Sequence, residues 1–143
     1  MTMENSTLAK PGTKVVRVGP DGSAWIEGYR CQACGAVVTV ATMACRSCTS
    51  RTPPAAFRAT DHGKLFSWAV VHRSYPGIAV PFVSAIVDLD DGLSLKGTLR
   101  NVEANALRSG MPVVVVLDDA GGTHDKHGAS YVGFHFVPEG AHA

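Results

Sequence analysis

Cys31-Gln32-Ala33-Cys34-Gly35 and Cys45-Arg46-Ser47-Cys48 decide how this chain is read, because these two C-x2-C pairs hold all four of its cysteines. Two residues between thiols let one tight turn aim both sulfurs at a single point. Two such turns face to face supply four ligands to a tetrahedral ion, with metal–sulfur distances of about 2.3 Å for zinc. Gly35 suits the positive backbone angle on which such a turn ends. Two disulfides would need an oxidising compartment, and the start Met1–Ser6 is neither basic nor apolar as an export signal would be. A redox-active C-x2-C expects one pair inside alternating strands and helices, a pattern this sequence lacks. The expectation is a closed site on Cys31, Cys34, Cys45 and Cys48, with zinc as its ion and iron as the rubredoxin-like variant. Four thiolates leave no open position for water or substrate, so the metal is structural and folds a segment too small to bury a core. No thiol then remains to act as a nucleophile.

Outward from that cluster, 143 residues suit about one domain. An apolar content of 45% excludes wholesale disorder, and a net charge of +1 argues against a chain built mainly to grip nucleic acid. No apolar run approaches the roughly 18–20 residues that span a bilayer; the longest candidate is Met111–Leu117. These features predict a soluble, cytoplasmic protein.

Val15–Val18 and Ala24–Tyr29 flank Gly19-Pro20-Asp21-Gly22, a good hairpin turn, and Ala36–Val40 is the expected strand of the ribbon itself. Trp25 and Tyr29 are expected to pack against that ribbon. Thr52-Pro53-Pro54 stiffens the exit and marks a boundary. Beyond it the sequence reads as strands. Phe57–Thr60, a turn at 61–64 and Leu65–His72 form one long bent strand, with Phe66, Trp68, Val70 and His72 on one face and Leu65, Ala69 and Val71 on the other. Phe82–Leu89, the turn Asp90-Asp91-Gly92 and Leu93–Leu99 follow. Asn101 is the expected N-cap of a short helix, Val102–Arg108. Met111–Asp118, with a run at Val113–Leu117 that reads as buried on both sides, and Tyr131–Val137 complete the set. Three strands, a short helix and two strands is the order of a five-stranded OB-fold barrel. The predicted organisation is an all-β chain with one short helix: a flexible N-terminus (1–12), a hairpin and zinc ribbon (13–54), an OB-fold (55–138) and a tail (139–143).

A zinc ribbon joined through Pro-Pro to an OB-fold resembles the acyl-CoA-associated OB-fold family, whose members begin with a rubredoxin-like zinc ribbon. The resemblance is carried by Tyr29–Gly35, Cys45–Cys48, Gly63–Val71, Pro81–Leu89 with its Asp-Asp-Gly turn, and Leu107–Val116 with Arg108-Ser109-Gly110-Met111-Pro112-Val113. Together these span about residues 27–137. The chain departs from the family where Val40-Ala41-Thr42-Met43 replaces a common Pro-Pro-Arg, and in a longer loop at 121–129. The resemblance implies a non-catalytic accessory subunit, inactive alone. It would work in a hetero-oligomer with a thiolase-type subunit that performs thiolysis or retro-aldol cleavage of a CoA thioester, with a hydratase or acyltransferase next in line. It also implies that the small subunit walls part of the CoA or substrate channel.

The remaining residues offer no independent active site. His124 and His127 flank Asp125 in a polar loop and read as solvated rather than metal-ligating, while His72 and His135 read as strand or rim histidines. No Gly-x-Ser-x-Gly elbow and no phosphate-cradling glycine loop occurs. The loop Arg73–Pro81 carries Arg73 and Tyr75, residue types that anchor interfaces, beside the apolar Ile78 and Pro81, and is expected to face a partner or its substrate. The competing reading tucks Ile78 and Val80 into the barrel mouth. The alternative function is binding of single-stranded nucleic acid, since ribbons and OB-folds both do so elsewhere; basic residues and aromatics are sparse on the strands for that role.

Overall fold

Short, strongly turning strands dominate the computed structural model, which describes residues 9–140. In chain order they are β1 (Lys10–Pro11), β2 (Val16–Val18), β3 (Ala24–Arg30), β4 (Val37–Val38), β5 (Ala55–Arg58), β6 (His62–Val71), β7 (Phe82–Leu89), β8 (Ser94–Leu99), β9 (Pro112–Asp118) and β10 (Tyr131–Pro138). The described residues form two compact units: one from 9–59 with 117–134, the other from 60–116 with 135–140. The expected flexible N-terminus lies, for residues 1–8, outside the described residues, as does the tail at 141–143. Lys10–Pro11 is a strand rather than a loose end. Among the described residues no helix is long and apolar enough to cross a membrane.

In the first unit β3 is the central strand, paired antiparallel with β2, β4 and β5. The β2–β3 hairpin turns where the sequence predicts, with Gly22 at φ 85° and the Asp21 carboxylate accepting from the Ser23 amide and hydroxyl. Tyr29 and Trp25 are fixed by charge as much as by packing. Arg17 donates to Glu27 Oε2 at 2.9 Å and to the Tyr29 hydroxyl at 3.0 Å, and the Arg58 guanidinium stacks 3.9 Å over the Trp25 ring. β5 comes from beyond the Pro-Pro exit, yet Ala55–Arg58 pairs with Glu27–Arg30. The expected single bent strand from Phe57 is thus two strands in different sheets. No turn intervenes at 61–64 either, because β6 already runs from His62.

β1 lies parallel to β10, Lys10 opposite Tyr131, and the loop before β10 is built around Asp125. Its Oδ1 accepts from the amides of His127 and Ala129, and its other oxygen meets the Lys10 ammonium. The Lys10 hydrogen bond and then the Ala129 amide pull this carboxyl down to about 2.

The barrel takes most of its residues from the second unit. Its strand order is β10-β8-β7-β6-β9, and β9 pairs again with β10 to close the sheet. Leu65, Val87, Leu93, Leu95, Leu99, Val113 and Phe136 are buried inside it. In β8 the predicted alternation holds: Leu95 and Leu99 point in, Ser94 and Lys96 out. Gly63 sits where the sheet is tightest, since a Cβ there would lie 2.6 Å from the Asp88 carbonyl oxygen.

Three expectations change. Phe66 is the extra residue of a β-bulge: Leu65 pairs with Val87 but Ser67 pairs with Ile86. The bulge inverts the alternation, so Trp68 and Val70, opposite Ala85 and Val83, share the inward face with Leu65, and Ala69 takes the outer face. β6 ends at Val71, leaving His72 in the loop. The expected helix contracts to one 3-10 turn, Ala104–Ala106, that buries nothing. Asn101, at φ 61°, adopts a left-handed geometry that an N-cap residue does not use. Finally, in Val113–Leu117 only Val113 is buried and Leu117 is exposed, so that run has one covered side.

Candidate metal centre

The four cysteines converge. Their sulfurs all lie within 4.8 Å of one another, and none is in a disulfide. The shortest contacts run between the two turns, Cys31 Sγ to Cys48 Sγ at 3.6 Å and Cys34 Sγ to Cys45 Sγ at 3.7 Å. A tetrahedron with ligand distances of about 2.3 Å has edges of about 3.8 Å, so the donor set fits a four-sulfur ion site. Cys31 is buried, Cys45 half-buried, Cys34 and Cys48 exposed.

The backbone explains how so little sequence builds this geometry, because the two turns repeat one another. In the first, the Gly35 amide donates to the Cys31 carbonyl at 2.9 Å and the Cys31 amide to Ala36 at 2.8 Å. In the second, the Thr49 amide donates to the Cys45 carbonyl at 2.9 Å and the Cys45 amide to Ser50 at 2.9 Å. Gly35 takes φ 81° as predicted. Thr49 takes φ 65° at the equivalent place, a β-branched residue in a region that favours glycine. Nothing in Cys48-Thr49-Ser50 announces that strain; only the equivalence of the two turns reveals it.

Backbone amides also sort the sulfurs. Those of Cys34 and Ala33 reach back to Cys31 and bring its thiol down to about 6. Those of Cys48 and Ser47 lower Cys45 likewise, the Ser47 amide lying 3.3 Å from its sulfur. Cys34 and Cys48 each receive one favourable amide, from Ala36 and Ser50. Desolvation and neighbouring sulfurs outweigh it, raising Cys34 and pushing Cys48 up to about 12. One thiolate-prone sulfur per turn, surrounded by others that lose their protons only with help, is the chemistry a divalent cation completes.

Among the described residues these four are the only cluster of ligand side chains able to hold a metal. His124-Asp125-His127 does not form one, because the Asp125 carboxylate is committed to its own turn and to Lys10. His135 is buried on β10. The loop residues expected to face a partner lie in the second unit: Arg73, Tyr75, Ile78 and Pro81 are all exposed, Tyr75 by 81%. Ile78 and Val80 do not tuck into the barrel mouth; both remain exposed. Ile78 and Pro81 line an open cleft of about 770 Å³ with Phe82, Leu99, Arg100 and Val102.

Comparison with known proteins follows the same lines. Residues 58–118 match the family model of the ChsH2 C-terminal OB-fold domain. A DUF35 domain-containing scaffold protein of Methanocaldococcus jannaschii is 28% identical over 91 residues, 62% of this chain and 64% of that protein. The 3-oxo-4,17-pregnadiene-20-carboxyl-CoA hydratase alpha subunit of Mycobacterium tuberculosis is 40% identical over 55 residues, 38% of this chain and 18% of that one. The chain thus spans less than two thirds of the length of either curated relative. Among solved structures, a chain described as Ltp2-ChsH2(DUF35) aldolase superposes with a TM-score of 0.64 at 26% identity, over 80% of this chain and 84% of that one. With a closed five-stranded barrel, a clustered cysteine quartet and these matches, the chain is similar to members of the acyl-CoA-associated OB-fold (DUF35) family.

Proposed function

We propose that this chain is a non-catalytic, zinc-binding accessory subunit of a hetero-oligomeric enzyme acting on CoA thioesters. Its partner is a thiolase-type subunit that performs thiolysis or retro-aldol cleavage. The observation that carries this reading is the likeness, over 80% of the chain, to a chain of an aldolase assembly. The relatives described as a scaffold protein and as a hydratase subunit support the same class. The chain's own chemistry agrees. All four cysteines are gathered at one point, where four thiolates would close the coordination sphere of a zinc ion and leave none as an acyl-accepting nucleophile. The nucleophile and the acid–base group then belong to the larger subunit. The CoA thioester reaches this chain through the complex.

Affinity purification of the tagged chain from its native host tests the reading. A stoichiometric acyl-CoA enzyme of the thiolase fold and about one zinc ion per chain are the expected findings. Turnover of acyl-CoA substrates by the partner-free chain, or co-elution without any acyl-CoA enzyme, would overturn it.

A further inference from the structure

The large apolar side chains that the fold leaves exposed are concentrated. Among the described residues there are ten, and seven fall between Phe66 and Ile86: three on β6, three in the following loop and one on β7. This stretch also contains an unpaired strand edge. β9 pairs with β6 only along His62–Lys64. The next residues are covered by the approach to β9: Leu65 donates to the Met111 carbonyl, Gly110 donates to Leu65, and the Ser109 hydroxyl donates to the Phe66 carbonyl. From Ser67 to Val71 that edge meets no further strand among the described residues. Beside it, Trp68 and Val70 continue the inward face of β6 past the closed part of the barrel, each 37% exposed, and Phe66 stands out on the bulge at 61%. A bare edge flanked by aromatic and branched side chains is a surface that proteins cover.

Charge selects what covers it. No Asp or Glu occurs between His62 and Val87, whereas Lys64 and Arg73 bracket the open edge, accompanied by His62 and His72. An antiparallel pairing of two copies through Ser67–Val71 would bring Lys64 of one chain against Arg73 of the other at both ends, where Asp88, opposite Lys64 on β7, is one anion for two cations. A second copy is therefore the wrong occupant. The complement is an extended apolar segment with acidic residues at its ends.

We propose that the open edge of β6, Ser67–Val71, docks a strand of the partner enzyme subunit, which adds to the barrel sheet there and meets Lys64 and Arg73 with Asp or Glu. This rests on the accessory-subunit reading. Main-chain hydrogen bonds would supply affinity and the exposed side chains of Phe66, Trp68 and Val70 the choice of sequence.

The test uses the full chain and the purified acyl-CoA enzyme subunit that co-elutes with it. Amide hydrogen exchange of the wild-type complex needs no variant: the edge-facing amides within Ser67–Val71 should slow at least tenfold on binding. Trp68→Ser should weaken the complex about 30-fold, a hot-spot loss, with zinc content unchanged. Lys64→Glu with Arg73→Glu should weaken it about tenfold and flatten its salt dependence. A complex that forms with normal affinity, leaves these amides unprotected and tolerates all three changes overturns the inference while the accessory reading stands. Absence of any acyl-CoA enzyme overturns both. Protection of the same amides by phosphatidylglycerol vesicles, by a thymidine oligonucleotide or by self-association of the chain assigns the edge to another occupant and equally overturns it.

Discussion

The ribbon and the barrel of this chain are held by different physics. Between residues 32 and 59 no side chain is buried, so the segment carrying three of the four cysteines has no hydrophobic core. Between 60 and 116 ten apolar side chains are buried, from Leu65 to Val113. At roughly 1.5–3 kcal/mol for each fully buried aliphatic side chain, the barrel gains most of what opposes its chain entropy from burial. The ribbon has β3 pairing, two repeated turns and four sulfurs in place of such burial. A small segment without a core needs a cross-link or a metal to hold a single structure. The comparison sets a region stabilised by solvent exclusion against one that has four converging cysteines in place of a core, and each should fail to its own challenge.

The largest effect should come from Cys31→Ser. Binding of structural zinc is worth about 10–16 kcal/mol in small zinc-dependent peptides, and loss of the one buried ligand should release the ion and unfold 31–54. Metal analysis and limited proteolysis would check it: cleavage should appear within 32–54, with the barrel core still protected. Equal protease resistance of the mutant and wild-type ribbon would erase the contrast between the two regions. Leu93→Ala should do the reverse. Leu93 is fully buried, and its truncation should cost about 2–5 kcal/mol in denaturant unfolding while zinc content stays at the wild-type value. The smallest effect sharpens the account of the ribbon. Thr49 sits at φ 65° where its counterpart is Gly35. A left-handed non-glycine residue costs about 1–2 kcal/mol, part of which glycine returns as entropy, so Thr49→Gly should stabilise the ribbon by up to about 1 kcal/mol. Gly35→Ala should move the melting of the ribbon in the opposite direction.

Much of this was legible in residue order, for reasons specific to each element. The cysteine site follows from spacing alone, because two residues between thiols fix a turn whatever surrounds it. Gly-Pro-Asp-Gly at 19–22 and Asp-Asp-Gly at 90–92 fold as turns through the conformations glycine permits, with Gly22 and Gly92 both at positive φ. The β8 alternation is visible because one face of that strand is wet. Other features depend on partners distant in sequence. The bulge at Phe66 is set by how β6 registers against β7, and it reverses which side of Trp68 faces the barrel. The grouping of residues 117–134 with the N-terminal part accompanies the parallel pairing of Lys10–Pro11 with Tyr131–Val132 and the Lys10–Asp125 ion pair, contacts over a hundred residues apart. The helix written into Val102–Arg108 lost to the left-handed turn at Asn101, since weak local propensity yields to a connection that must reverse in few residues. Sequence by itself determined the four-sulfur cluster, the hairpin turns and the barrel class, because spacing, glycine freedom and period-two burial act within a few neighbours. Only the tertiary structure decided the inverted face of β6, the open edge at Ser67–Val71 and the strained Thr49, because register and strain arise when separate segments must meet.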